Sequence, residues 1–335
     1  MSAQEFEKSL RNIVGLNNVR PSEPLAAHTT FRIGGPAQWL VLPCSEEEVA
    51  AVVSACQEAA VPWRVLGLGS NVLAPDGGLP GVTVKLAENL AAVEVLPGGL
   101  LRAQAGATNA AVAEAACAAG LAGYEFASGI PGTVGGAAIM NAGAYDGQFS
   151  DVAVSVRCLV PVGTPLPGRT VPLSESSEPV ETGTALPGKG VPARWRVVEV
   201  PAPEAAWGYR TSRMMKEGWV VLGATLQLHA DDTAAIRSRM DDLRERRESR
   251  QPLEMPSAGS TFKRPEGYFA GALIQEAGCQ GLSVGDAQVS EKHAGFVVNT
   301  GGATAADVLS LIAEVQRRVR EASGVQLEPE VRLWE

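Results

Sequence analysis

The chain is predicted to be α+β, and three features carry that prediction. Strand-like runs are short, helical patterns are scattered between them, and no regular strand–helix alternation of the kind a doubly wound parallel sheet requires runs along the sequence. At 335 residues, 45% apolar and 19% charged, the chain spans about two domains on a prior of ~150 residues each and can bury a large core without disulfides. No internal repeat is found.

Each element has its own local signal. Gln38–Pro43 reads as a strand. SEEEVAAVVSACQEAA follows as a helix, with Ser45 and Glu48 in capping-box spacing at its start. Trp63–Leu66 is a short strand that runs into GLGSN, and further strands are expected at Val82–Leu86, Ala92–Leu96 and Leu101–Ala105. Thr108 and Gly120 bound a helix at Asn109–Ala119. Pro161–Arg194 is rich in Pro, Gly, Ser and Thr without apolar periodicity, and reads as a long loop or partly disordered insertion. Strands are expected again at Trp195–Val200 and Trp219–His229, then a charged amphipathic helix at Asp232–Arg250. In the last helix, Thr304–Ser323, the apolar face is Val308, Leu311, Ile312, Val315 and Val319, spaced by three and four.

Charge and cysteine usage narrow the function. A net charge of −9 argues against a general nucleic-acid or anionic-membrane binder, since both require a basic face. The N-terminal residues lack a signal-peptide profile and no apolar run approaches a membrane span, so a cytoplasmic protein is expected. Cys44, Cys56, Cys117, Cys158 and Cys279 show no metal or disulfide spacing and read as buried free thiols; no metal site is expected.

Two glycine-bearing segments suggest a nucleotide cofactor. In Gly67–Asn71 (GLGSN), glycines let backbone N–H groups approach phosphate oxygens, and Ser70 and Asn71 add donors; a tight structural turn is the equal alternative. It is no dinucleotide fingerprint, because Val72 stands where a third glycine is needed. Gly129–Tyr145 (GIPGTVGGAAIMNAGAY) would let backbone pass close to a flat ligand, or would make a tight crossing with none. Gly183–Gly190 (GTALPGKG) imitates a P-loop but lacks the Ser or Thr, the preceding strand and the following helix. A serine hydrolase is disfavoured by three unrelated histidines and the absence of G-x-S-x-G.

HTTFRIGGPA (His28–Ala37), LGLGSN, SGIPGTVGGAAIMNAGAY, YRTS (Tyr209–Ser212), PSAGSTFKRP, QVSEKHAGFVVN and LEPEV, in that order, resemble the UDP-N-acetylenolpyruvoylglucosamine reductase family across almost the whole chain; only the Pro161–Arg194 insertion departs from it. The resemblance implies a vanillyl-alcohol-oxidase-type FAD-binding domain, here 1–205, and a smaller α+β substrate domain, 206–335. It implies FAD held by Gly67, Gly69, Ser70, Asn71, Ser128, Gly129, Ile130, Pro131, Gly132, Gly135, Gly136, Asn141, Gly143 and Ala144. NADPH is implied as reductant, UDP-N-acetylenolpyruvoylglucosamine as substrate, and Arg210, Ser260 and Glu330 as catalytic residues. Tyr209, Lys263 and His293 become substrate contacts. Arg210 and Ser260 lie 50 residues apart, which resembles the subclass lacking an extra substrate-covering loop. No obligate protein partner is inferred.

The chemistry of an enol ether conjugated to a carboxylate suits these residue types. Hydride addition at the β carbon pushes charge onto the α carbon and its carboxylate, which an arginine can hold bidentately. A held serine can then protonate the α carbon, and a protonated glutamate can donate to the developing enolate. A basic patch from Arg210, Arg213, Lys216, Lys263 and Arg264 is expected around the anions. Two other readings stay open: a flavin oxidase of the same fold using O2, and an inactive nucleotide-sugar-binding module.

Overall fold

The computed structural model describes residues 1–164 and 195–335, so most of the Pro161–Arg194 insertion, including GTALPGKG, lies outside the described residues. The described chain forms two compact units, each assembled from three separate stretches: 1–20, 40–67 and 82–243 in the first, and 21–39, 68–81 and 244–335 in the second. This differs from a contiguous division at 205/206. The strand Val220–Gln227 pairs on one edge with Ala153–Pro161 and on the other with Leu100–Gln104, so the chain beyond 206 still completes the first unit's sheet.

That sheet is antiparallel, in the order Trp195–Pro201, Ala153–Pro161, Val220–Gln227, Leu100–Gln104, Val93–Leu96. Beside this antiparallel set, Trp63–Leu66 pairs in parallel with Val82–Lys85. Antiparallel and parallel pairing in one unit, with helices between, is the α+β class the sequence predicts. Helix Glu46–Glu58 starts at Ser45, whose hydroxyl accepts from Glu48 N–H at 3.2 Å. The Glu48 carboxylate reaches back one residue further than a capping box, accepting from Cys44 N–H at 2.7 Å. Helix Asn109–Ala118 is capped by Thr108 as expected.

Three α-helices of this unit are absent from the sequence reading, the short Arg213–Glu217 and two longer ones. Ala3–Val14 has a complete Ser2/Glu5 capping box and buries Phe6, Leu10 and Val14 at spacings of four. Val134–Met140 forms inside the glycine run, where propensity opposes a helix. Helix Thr233–Arg250 begins in the first unit and buries only Ile236 and Met240 among its described side chains.

The second unit holds a four-stranded antiparallel sheet ordered Ser257–Ser260, Phe296–Asn299, Ala287–Val289, Ser283–Val284. Helix Ala305–Ser323 buries Val308, Leu311, Ile312, Val315 and Val319, the face read from the sequence, each side chain contributing about 1.5–3 kcal/mol of burial before entropy is charged. Phe31, Ile33 and Leu73 join the same core as Val297, Leu327 and Val331, which draws residues from opposite ends of the sequence into one unit. All five cysteines are free. Four are buried, but Cys44 is exposed, contrary to the expectation of burial throughout; burial pushes the Cys56 thiol up to about 12. No helix among the described residues is long and apolar enough to cross a membrane.

Candidate active site

In the first unit the two glycine segments meet. Gly67 opens the turn after Trp63–Leu66, and a Cβ there would stand 2.5 Å from the Thr133 hydroxyl oxygen, so only glycine permits this approach. Thr133 caps helix Val134–Met140, and the residues around it run beside Ala105–Asn109: Val134 N–H donates to Ala107 O (2.8 Å), Gly135 N–H to Ala105 O (2.9 Å) and Asn109 N–H to Gly132 O (3.1 Å). A Cβ on Gly135 would press on Ala105 at 3.0 Å, so this glycine serves helix–strand contact. Gly136 is different: a Cβ would meet only the Thr133 hydroxyl, at 3.8 Å, and the position is exposed. Open backbone at Gly136 beside the Thr133 hydroxyl fits a phosphate group approaching the chain.

The rest of the run is fastened. The Ser128 hydroxyl donates to Glu125 O (2.7 Å), and Ile130 O accepts from Asn109 Nδ2 (3.3 Å). Gly129 and Pro131 lie in the same loop, and Gly143 and Ala144 pair with Gln148 and Gly147 in a hairpin. Asn141 adopts the left-handed region at the helix end. Its side chain donates to Gln148 Oε1 (3.1 Å) and Gly208 O (3.4 Å) and accepts from Ser150 N–H (2.9 Å), which commits its amide to holding the run together. Thr133, which the sequence reading passes over, carries an N-cap signal that the surrounding glycines hide.

YRTS is docked against this run. The Trp207 indole N–H donates to Ala138 O (2.7 Å) and the buried Ser212 hydroxyl to Ile139 O (2.8 Å). Between them, Gly208 and Thr211 bridge to each other with Tyr209 and Arg210 at the turn. Arg210 sits at φ 54°, its guanidinium 5.1 Å from the Tyr209 ring centre and 3.5 Å from Gly143 O. Tyr209 is exposed.

In the second unit, Gly69, Ser70 and Asn71 complete the first turn. Gly69 has φ +64°, and a Cβ would stand 2.4 Å from His28 O; this glycine is required by the fold itself, whatever it also does for a ligand. Ser260 ends the strand Ser257–Ser260 and is exposed. Glu330 is half-buried, and its N–H donates to Thr261 O (2.8 Å), while Phe262 bridges to Pro329. Ser260 and Glu330 are therefore brought onto neighbouring extended segments of one unit. Arg210 belongs to the other unit.

The remaining candidates are partnered. Lys263 is paired with Glu328 (3.0 Å), Arg213 with Glu217 (2.7 Å), and the Arg264 guanidinium lies 4.0 Å from the Phe269 ring centre, so the expected basic patch is in part neutralised or stacked. His293 Nδ1 accepts from Gly295 N–H (3.0 Å), which leaves the proton of the neutral ring on Nε2. Burial holds its pKa below 6.5, favouring that neutral donor. A cavity of about 550 Å³ in the first unit is lined by Glu125, Asp146, Asp231 and Asp242 against Arg239 and His229, a charge balance unsuited to a diphosphate.

If backbone at Gly136 faces a cofactor phosphate, Gly136→Ala should raise the melting temperature of the flavin-free protein, since Ala gains up to about 1 kcal/mol over Gly in a helix, while lowering flavin occupancy. Flavin stoichiometry measured beside the melting transition checks this; full occupancy with higher stability would place the cofactor elsewhere.

An α+β chain with glycine-opened backbone near a threonine hydroxyl, and with a match to the FAD binding domain over residues 37–166, is an FAD-binding oxidoreductase. Residues 251–334 match the C-terminal domain of UDP-N-acetylenolpyruvoylglucosamine reductase. The chain is 44% identical to the UDP-N-acetylenolpyruvoylglucosamine reductase of Clostridium perfringens, over 98% of this chain and 97% of that protein. With the protein of the same name from Clostridioides difficile it shares 40% identity over 99% of both. It is similar to the crystal structure of UDP-N-acetylenolpyruvylglucosamine reductase from Thermus caldophilus, with a TM-score of 0.71 and 32% identity, covering 95% of this chain and 98% of that one. The chain belongs to the UDP-N-acetylenolpyruvoylglucosamine reductase family.

Proposed function

We propose that this protein uses NADPH to reduce UDP-N-acetylenolpyruvoylglucosamine to UDP-N-acetylmuramate in the cytoplasm, as a step of peptidoglycan precursor synthesis, without an obligate protein partner. Bound FAD would supply the hydride. Gly67, Gly69, Ser70, Asn71 and the segment from Ser128 to Ala144 would hold it, with Gly136 leaving room for its pyrophosphate. Arg210 would hold the substrate carboxylate through two N–H groups and draw charge from the α carbon as it develops. Ser260 would give its proton to that carbon, and Glu330 would donate to the developing enolate. Tyr209, Lys263 and the Nε2–H of His293 would contact the nucleotide.

The observation that supports this reading best is the backbone pairing of Glu330 with Thr261, the residue after Ser260, which puts the two candidates on neighbouring segments of one unit. The spacing of YRTS and PSAGSTFKRP favours the subclass without the extra substrate-covering loop. The test is a visible spectrum followed by a turnover assay. Oxidised-flavin absorption, NADPH consumption only when the enolpyruvyl nucleotide is present, and a product carrying two more hydrogens are expected. Flavin retained through acid precipitation, with O2 as acceptor, would replace it with the oxidase reading; nucleotide binding without NADPH consumption would replace it with the inactive module.

A further inference from the structure

The motif HTTFRIGGPA has no role in the reaction as derived so far, yet its Thr30 joins two parts of the second unit that do. Thr30 N–H donates to Gly69 O (3.2 Å), and its hydroxyl donates to Ser257 O (2.7 Å). Gly69 lies in the cofactor turn and Ser257 opens the strand that ends at Ser260. The connection closes on the far side. Asn71 Nδ2 donates to Glu330 O (3.2 Å), Arg332 N–H donates to Asn71 O (2.9 Å), and Glu330 N–H donates to Thr261 O (2.8 Å). The result is a ring of hydrogen bonds running Gly69, Thr30, Ser257, the serine strand, Thr261, Glu330, Asn71 and back to the turn.

Thr30 itself is rigidly placed. Arg32 N–H donates to Thr29 O (3.2 Å), the Thr29 hydroxyl donates to Ile33 O (3.2 Å), and Asn299 Nδ2 donates to Phe31 O (3.2 Å). The buried His28 ring is held at 2.8 Å by Glu23. With its neighbours so fixed, Thr30 cannot follow either partner if one of them moves.

We propose that Thr30 is a positioning residue, holding the Gly69–Asn71 turn at a fixed distance from the strand bearing Ser260, so that cofactor and proton donor keep their relative placement during carbon protonation. This rests on the reading of Ser260 as the donor. A loosened tie costs the protonating half-reaction, which depends on sub-ångström placement, and spares flavin reduction, which needs no carbon acid.

Thr30→Val keeps the shape and the N–H but removes the hydroxyl; Thr30→Ser keeps the hydroxyl. In the holoenzyme, Thr30→Val is expected to retain flavin, to bleach with NADPH within about twofold of wild type, and to recover its absorbance on adding the nucleotide about tenfold more slowly, the scale of one lost hydrogen bond. Thr30→Ser should recover to within about twofold. Independently of turnover, hydrogen exchange on the flavin-free chain should quicken together at Ser70–Asn71 and at Ala258–Thr261 in Thr30→Val but not in Thr30→Ser. Unchanged exchange in Thr30→Val, equal slowing of both half-reactions, or failure of serine to rescue would each overturn the proposal. A wild-type protein inert toward the nucleotide would instead overturn the functional reading, and the exchange measurement would still decide whether the tie exists.

Discussion

Ser260→Ala is expected to leave the bleaching of bound flavin by NADPH within about twofold of wild type and to slow recovery with the enolpyruvyl nucleotide by roughly 10²–10⁴-fold, the usual contribution of general acid catalysis. Stability should not follow. The side chain is exposed at its strand end, so alanine removes no buried group and stability should change by no more than the roughly ±0.5 kcal/mol typical of surface changes, read as a small shift in melting temperature. Loss of one half-reaction from an intact, flavin-loaded protein is what a carbon-protonating acid predicts and what general misfolding does not. Glu330→Gln should show a milder version, because an amide still donates. Anaerobic stopped-flow absorbance resolves both steps; recovery at the wild-type rate in Ser260→Ala would assign the proton to another group.

A second large effect is expected at Arg210, with activity and stability moving apart. The residue sits at φ 54°, a conformation that costs a non-glycine residue about 1–3 kcal/mol when the surroundings impose it. Arg210→Gly relieves that strain, so its melting temperature should match or exceed that of wild type, whereas kcat/KM for the nucleotide should fall roughly 10²–10³-fold through loss of the charge-assisted carboxylate contact. Arg210→Lys keeps the charge but not the planar two-pronged donor and should recover only part of the loss. Measuring kcat/KM for the nucleotide beside thermal melting checks both halves. An unchanged kcat/KM in Arg210→Gly would leave the strained turn without a catalytic purpose.

Legibility followed the distance over which a feature is determined. The closing helix was readable to the residue, because its face is a local pattern, and so were the caps at Ser45 and Thr108. Ala3–Val14 is equally local, carried by Ser2, Glu5 and a four-residue apolar spacing. Val134–Met140 is not: two glycines argue against a helix, and only the contact of Gly135 with Ala105 makes one of them an advantage. At the site, the family resemblance carried by the ordered motifs implied Arg210, Ser260 and Glu330. The pairing of Glu330 with Thr261, the contact of Gly67 with Thr133 and the ring through Thr30 depend on partners far apart in sequence, so no local window contains them. Gly69 is a converse case: close approach to the His28 backbone already requires glycine there, so the residue type alone does not separate a structural turn from a phosphate cradle.

The second unit's core also sets a timetable for biosynthesis. Phe31 and Ile33 leave the ribosome about 300 residues ahead of Val331, which shares their core. At ~5–20 residues per second, the roughly 300 residues between them take about 15–60 s to translate, during which Phe31 and Ile33 lack their native cover. Nascent chains should therefore depend on a holding chaperone, or on provisional apolar contacts with other segments already made, until Val331 has emerged.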